Sequence, residues 1–130
     1  MTTRSGNVSR TILFDVNVPR QAAQFFPEHT VEFSDQRGWR ELVDGDLLTL
    51  AEQAGFDVLL TADTNLRYQQ NLTSRAISIV VLSTVVLSTN RWPILRRNPS
   101  LIVDAVDRAS PGSYQEVIMP GARTRLSSQG

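Results

Sequence analysis

Two short, largely apolar runs end directly at an aspartate. Residues 11–14 lead into Asp15, and residues 58–62 lead into Asp63. Short continuous apolar runs bounded by polar residues are typical of strands that are buried on both faces of a sheet. A third apolar run covers residues 77–82. The pattern therefore predicts three buried strands, two of which finish on a carboxylate.

Two other segments repeat their apolar residues at helical spacing. One begins at Asp44 and ends before Gly55, a residue type that commonly caps the C-terminus of a helix. The other begins at Asn98 and Pro99, which is a common helix start. The residues expected to face inward are Leu47, Leu50, Ala51 and Ala54 in the first helix, and Ile102, Ala105, Val106 and Ala109 in the second, with Asp104 and Arg108 outside.

Weaker signals cover the rest of the chain. Pro19 suits the first turn of a helix that Pro27 would end, and Asn17 is a possible cap for that helix. The remaining expectations are a weak strand at residues 29–33, a loop at residues 34–43 and a last strand at residues 114–119.

Strands that alternate with helices at short intervals predict an α/β fold, with a mainly parallel central sheet between helices on both faces in three layers. The length of 130 residues suits one domain. We expect this domain to cover residues 11–120, between a flexible N-terminus at residues 1–10 and a flexible tail at residues 121–130.

Residues 80–84 and 85–89 have the same sequence, VVLST. A single strand over residues 76–89 would be about 45 Å long at roughly 3.3 Å per residue, which is longer than strands usually are. The chain is therefore expected either to turn near Ser83 and Thr84 or to project an apolar arm. Our hypothesis is that the second copy is a tandem insertion whose edge pairs with another subunit in a dimer; an extended strand end is the alternative.

The composition narrows the function classes. The chain has no cysteine, which excludes disulfides and thiolate metal sites and suits the reducing cytoplasm. No apolar segment is long enough to predict a membrane span. Thirteen acidic residues balance thirteen basic ones, so contacts with nucleic acid would have to come from local patches. The basic residues are all arginine.

The acidic residues carry the candidate chemistry. In an open parallel sheet, ligands bind at the carboxyl ends of the strands. Asp15 and Asp63 should emerge at that edge, and Asp44 and Asp46 lie at the start of the helix that leads into the strand ending at Asp63. Carboxylates brought close together repel one another, and a hard cation such as Mg²⁺ or Mn²⁺ relieves that repulsion. Such a metal would suit the hydrolysis of phosphodiesters.

Each candidate also has a purely structural interpretation. Asp15 and Asp63 could end strands before turns, and Asp44 and Asp46 could be a helix cap and a charge at the helix N-terminus. Arg91 could contact phosphates or belong to a solvated helix face. The lone histidine, His29, is more typical of a strand end than of a metal ligand, and Trp39, Trp92, Phe25 and Phe26 are expected to be packing residues.

Several motifs together resemble the PIN-like family of small predicted nucleases, which are often components of toxin–antitoxin systems. Residues 14–19 resemble the Asp-Glu-Asn-x-Pro start of that family, and residues 44–51 resemble its acidic helix start. Residues 58–63 resemble its (L/V)-x-T-x-D strand end, and residues 68–72 continue a recognisable subgroup. The resemblance covers roughly residues 11–110.

The resemblance implies a PIN-like fold, Mg²⁺- or Mn²⁺-dependent cleavage of RNA, and a cognate antitoxin protein as a partner. The implied metal ligands, which are also the expected catalytic residues, are Asp15, Asp44 or Asp46, and Asp63. We further expect secondary polar contacts with nucleic acid from Asn17, Asn65, Gln69 and Arg91. The sequence departs from the family pattern at Val16, where glutamate is frequent, and at Asn65, where a further acid can occur. Loss of these acidic groups would weaken the affinity for metal.

Other classes of protein also place acids at strand ends. A phospho-accepting receiver domain normally needs a lysine, which this chain lacks. A haloacid-dehalogenase-like phosphatase would need a second aspartate where Asn17 stands. The main alternative is a catalytically weak or inactive PIN-like domain that binds a partner protein.

Overall fold

The five strands and the two longer α-helices follow one another in the order that the sequence predicts. A computed structural model describes residues 9–42, 44–63, 72, 75–84 and 92–120. The strands are β1 (Thr11–Phe14), β2 (Thr30–Phe33), β3 (Val58–Thr61), β4 (Ser78–Thr84) and β5 (Tyr114–Met119). The α-helices are α1 (Asp44–Gln53), α2 (Trp92–Leu95) and α3 (Pro99–Arg108), and two 3₁₀ helices cover Arg20–Phe25 and Ser34–Arg37.

The five strands form one sheet in the order β2-β1-β3-β4-β5, and every neighbouring pair is parallel. Their register fixes which side chains lie level across the sheet. Phe14 at the end of β1 is level with Leu60 on β3. Thr61 is level with Val81 on β4, which in turn is level with Glu116 on β5. The carboxyl ends of β1 and β3 therefore meet at the same edge.

The sheet is buried on both faces, because alternate strand residues pack into two separate cores. Ile12, Phe14 and Leu60 belong to one core, together with residues of the first 3₁₀ helix, α2 and α3. Leu13 and Leu59 belong to the other core, together with residues of α1. Helices thus contact both faces of a parallel sheet, and the predicted α/β class is confirmed.

Two predicted elements differ from the structure between β1 and α1. The helix expected after Pro19 is a 3₁₀ helix of six residues, and only Ala22 is buried within it. The segment expected to be a loop contains the 3₁₀ helix Ser34–Arg37, which ends at Gly38 with a positive φ of 79°.

The buried face of α1 is rotated from the predicted one. Leu47 and Ala51 are buried as expected, but the third buried residue is Leu48. Leu50 is partly exposed, and Ala54 is exposed beyond the last helical residue. Leu47, Leu48 and Ala51 share one face just as the predicted set does, so the contact with the sheet decides between them.

The structure confirms the predicted helix α3 and adds the short helix α2 before it. Ile102, Ala105, Val106 and Ala109 are buried along α3, and Asp104 and Arg108 are exposed, as the spacing predicts. The four-residue helix α2 was not predicted. Its first residue, Trp92, stacks on Phe25 at 5.6 Å between ring centroids, which confirms that both are packing residues.

His29 confirms its interpretation as a strand-end residue. It lies just before β2, where its Nδ1 accepts a hydrogen bond of 2.9 Å from the backbone N–H of Arg10. Its Nε2 lies 3.5 Å from a carboxylate oxygen of Asp107 in α3. These contacts connect α3 to the end of the sheet at which the strands begin. The candidate carboxylates lie at the other end, where β1 and β3 finish.

Three expectations lie wholly or partly outside the described residues. They are the second copy of the repeat at residues 85–89, all but two residues of the N-terminal segment 1–10, and the tail at residues 121–130. The first copy of the repeat, residues 80–84, is the last part of β4, which ends at Thr84. None of the helices in the described ranges is long and apolar enough to cross a lipid bilayer.

Candidate active site at the carboxyl edge of the sheet

The strand order identifies one position on the sheet where ligands are expected. β1 and β3 are neighbours, but the chain leads from β1 to β2 on one side and from β3 to β4 on the other. In open parallel sheets, ligands bind outside the carboxyl ends of the two strands at such a reversal. Asp15 directly follows β1, and Asp63 is the second residue after β3. Both aspartates therefore lie at the place where a ligand is expected.

The hydroxyl of Thr61 connects these two aspartates. Thr61 is the last residue of β3, and its relative exposure is 0%. Its Oγ1 donates a hydrogen bond of 2.8 Å to Oδ2 of Asp15. The same oxygen accepts a bond of 3.1 Å from the backbone N–H of Asp63. One buried atom thus holds the carboxylate of the first aspartate and the backbone of the second.

Backbone hydrogen bonds complete the position of Asp15. Its own N–H donates to the carbonyl oxygen of Leu60 at 2.9 Å, which extends the pairing of β1 with β3 by one residue. Its Oδ1 accepts a bond of 2.8 Å from the N–H of Val16. The two carboxylate oxygens therefore each have one donor, and each retains a lone pair for a further contact.

Asn17 has a different role from the predicted helix cap. The residue before the 3₁₀ helix is Pro19, and no side chain caps that helix. The Oδ1 of Asn17 instead accepts a bond of 2.9 Å from the backbone N–H of Ala62, and it lies 3.4 Å from Oγ1 of Thr61. Asn17 therefore ties the turn after β1 to the turn after β3.

The helix-start acids belong to α1, on a different element from the strand-end acids. Asp44 is the first residue of α1, and Asp46 lies in its first turn with an exposed side chain. Within the described ranges, no three side chains of aspartate, glutamate, histidine or cysteine are grouped closely enough to hold a metal ion. Asn65, Gln69 and Arg91 lie outside the described residues.

Tyr114 and Glu116 of β5 lie on the same face of the sheet as Thr61. Tyr114 packs against the core that contains α1, and its buried hydroxyl has no hydrogen-bond partner among the residues that the structure describes. Burial raises the pKa of Tyr114, and the negative charges of Glu116 and Asp63 raise it further. Tyr114 therefore lies within electrostatic reach of Asp63.

Glu116 is level with Thr61 across β4 and is exposed. The signal in the sequence was weak, because a tyrosine and a glutamate at alternate positions of a strand predict only a shared face.

Arginines lie on the other side of Asp15, near β2. Nη2 of Arg20 donates to both carboxylate oxygens of Asp35, at 2.7 and 2.6 Å. Nη1 of Arg40 lies 3.8 Å from the same carboxylate. Acidic residues thus follow β1 and β3 at the carboxyl edge, and basic side chains lie beside β2.

Comparison of the chain with protein-family models, with curated proteins and with solved structures finds no match.

Proposed function

We propose that this protein is a metal-dependent ribonuclease of the PIN-like kind, with Asp15 and Asp63 as its central acidic residues. The observation that carries this proposal is the Thr61 hydroxyl, which contacts both residues at the reversal of strand order. A strand-ending aspartate that only formed a turn would need no such connection to a second strand. The motifs at residues 14–19, 44–51 and 58–63 favour the same function.

The donor atoms at this edge suit a hard divalent cation. They are carboxylate and amide oxygens, with no nitrogen or sulfur ligand among the predicted set. Mg²⁺ is commonly held by one or two protein carboxylates, with water and substrate phosphate completing its shell. Asp15 and Asp63 would supply those carboxylates, and Asp44 or Asp46 would add a third at the helix start. The cation would supply Lewis-acid polarisation of a phosphoryl oxygen and neutralise charge on the leaving group.

The residues around the aspartates would keep the site in place before substrate arrives. Thr61 and the N–H of Val16 each hold one oxygen of Asp15, so the carboxylate has little freedom to rotate. Asn17 fixes the two turns relative to each other. Acidic groups that are already oriented need little reorganisation during reaction, which is a major source of enzymatic rate acceleration. The exposed apolar side chain of Val16 contributes no ligand, so we expect modest affinity for metal.

One finding favours a second candidate function. The described residues contain no group of three acidic side chains, and such a group would be expected in a strong metal site. A PIN-like domain with weak or no catalysis that binds a partner protein is therefore the alternative. In either case we expect a cytoplasmic protein that forms a dimer and binds a cognate antitoxin protein.

Cleavage of single-stranded RNA in the presence of Mg²⁺ or Mn²⁺ tests the proposal. We expect EDTA and Asp63→Asn each to abolish cleavage, because both remove the cation. Asp104→Asn is the matched control, since Asp104 is exposed on α3 away from the site and the variant should retain full activity. Equal cleavage by wild type and Asp63→Asn would refute the nuclease. Absence of cleavage by the wild type, together with capture of a protein partner, would favour the alternative.

A further inference from the structure

A small depression adjoins Asp15 on the side of β2. Its volume is about 30 Å³, and it is lined by Asp15, Val16, Val18, Arg20, Phe33 and Asp35. Asp15 is thus shared between the contact with Thr61 and the wall of this depression. A substrate that reaches Asp15 from this side would pass over the other lining residues.

Arg20 is held in a fixed orientation in the wall of the depression. The central carbon of its guanidinium group lies 4.5 Å from the centre of the Phe33 ring. Its Nη2 contacts both carboxylate oxygens of Asp35, yet 48% of the side chain is exposed. Stacking and ion pairing restrict the side chain before any ligand binds, so less conformational entropy would be lost when a ligand does bind.

The charges around Asp35 do not cancel. Arg20 and Arg40 both lie against this single carboxylate, so these three groups carry one net positive charge, while the carboxylate of Asp15 in the wall of the depression is negative. Arg40 is 64% exposed and only 3.8 Å from the carboxylate, so its guanidinium can reach an approaching anion. The chain as a whole has no net charge, so this is a local feature.

We propose that this depression is a subsite for the backbone of single-stranded RNA, in which Arg20 contacts a phosphate next to the one at Asp15. This inference rests on RNA being the ligand of the proposed function. Arginine presents a planar set of donors that matches phosphate oxygens. Val16, which is 45% exposed in the wall of the same depression, offers an apolar surface to a base.

The ion pair between Arg20 and Asp35 contributes little to the stability of the fold. Exposed ion pairs contribute little to the stability of proteins. Arg20→Gln should therefore fold normally, and its effect on RNA binding can be measured without a loss of structure.

Binding without metal tests the subsite independently of catalysis. The probe is a fluorescein-labelled uridine oligonucleotide of roughly 12 nucleotides, a length within the range of single-strand binding sites. Its Kd is measured by fluorescence anisotropy in EDTA over a series of KCl concentrations. Loss of one phosphate contact should lower the slope of log K against log salt by about 0.7. We expect Arg20→Gln to show this change and to bind about tenfold more weakly at low salt.

Arg37→Gln is the matched control. Arg37 also pairs with a carboxylate, that of Glu32 at 2.8 Å, and lies over aromatic rings, those of Trp39 and Phe56. It does not line the depression. The control variant removes the same charge and should leave the salt slope unchanged.

The possible outcomes separate this inference from the proposed function. An unchanged slope in Arg20→Gln, an equal change in both variants, or no binding of the probe by the wild type would overturn the subsite. A reduced slope in Arg20→Gln alone would support it, even if the wild type cleaved no RNA and the nuclease proposal failed. If cleavage depended on Asp63 but not on Arg20, and the wild type and Arg20→Gln had equal slopes of log K against log salt, only the subsite would be overturned.

Discussion

Replacing Thr61 by valine removes one hydroxyl group from the point where β1 and β3 meet. Valine is close to threonine in shape and is also favoured in strands, so the packing of the buried position should survive. The variant loses the donor for Oδ2 of Asp15 and the acceptor for the N–H of Asp63. The effect on the free energy of unfolding therefore reports those two hydrogen bonds.

The expected loss can be estimated from the two bonds. A hydrogen bond to a charged group contributes about 1.5–3 kcal/mol when buried, and the lower end applies because Asp15 is partly exposed. The N–H of Asp63 loses an acceptor at a cost of about 1 kcal/mol, and the more apolar valine offsets part of the total. We expect a net loss of about 2 kcal/mol. The unfolding entropy of a chain of this length is about 270 cal/mol/K, so Tm should fall by about 7 °C.

Urea denaturation measures the loss, and Thr61→Ser is the matched control. Serine keeps the hydroxyl but lacks a buried methyl group, so it should lose about 1 kcal/mol and retain RNA cleavage. Valine should lose both stability and cleavage, because Asp15 is no longer held. A valine variant as stable as the wild type would show that the Thr61 hydroxyl does not make these two hydrogen bonds. Removing a buried hydroxyl that has no partner leaves the free energy of unfolding unchanged or raises it.

Two further substitutions test other parts of the structure. Tyr114→Phe should raise the free energy of unfolding by up to about 1 kcal/mol at neutral pH, because the buried hydroxyl has no hydrogen-bond partner within the described part of the chain. The pKa of Tyr114 is raised above 10.0 in the folded chain, so the unfolded chain loses the hydroxyl proton at a lower pH than the folded chain does. The free energy of unfolding of the wild type should therefore fall as the pH rises above about 10. Tyr114→Phe has no such proton and should lose less stability over the same pH range.

Urea denaturation at a series of pH values measures both effects, and a less stable Tyr114→Phe at neutral pH would show that the hydroxyl has a partner. Gly112→Ala should lose at least about 2 kcal/mol, because Gly112 has a φ of 75° and an added Cβ would lie 2.8 Å from the carbonyl oxygen of Leu72. Gly45→Ala, where the space around α1 is open, should be neutral or stabilising, and equal losses in the two glycine variants would contradict this account of Gly112.

The ends of the strands could be predicted because each is marked by a change from apolar to polar residues. β1 and β3 end within a residue or two of Asp15 and Asp63, as the apolar runs indicate. The inward stripe of α3 was equally clear, because the charged residues Asp104, Asp107 and Arg108 mark its other face. The rotation of α1 was not clear, because Leu48 and Leu50 are both apolar and only contact with the sheet selects Leu48.

The contacts within the site could not be predicted from local pattern. The bond from Thr61 to Asp15 depends on the register between two strands that are 46 residues apart in the sequence. The role of Asn17 depends on the same register, so the residue was interpreted as a local helix cap. The pair of Arg20 with Asp35 likewise depends on the parallel pairing of β1 with β2. Local sequence predicts which residues reach the edge, and the pairing of the strands decides which of them touch.

Anomalous diffraction from a crystal soaked in Mn²⁺ tests the metal site most directly. The proposed function predicts a strong peak at the carboxyl edge, within about 2.5 Å of a carboxylate oxygen of Asp15 and of Asp63. The peak should disappear in a crystal of Asp63→Asn. A fully occupied Mn²⁺ ion elsewhere on the protein, with no density between these two residues, would contradict the proposed metal site.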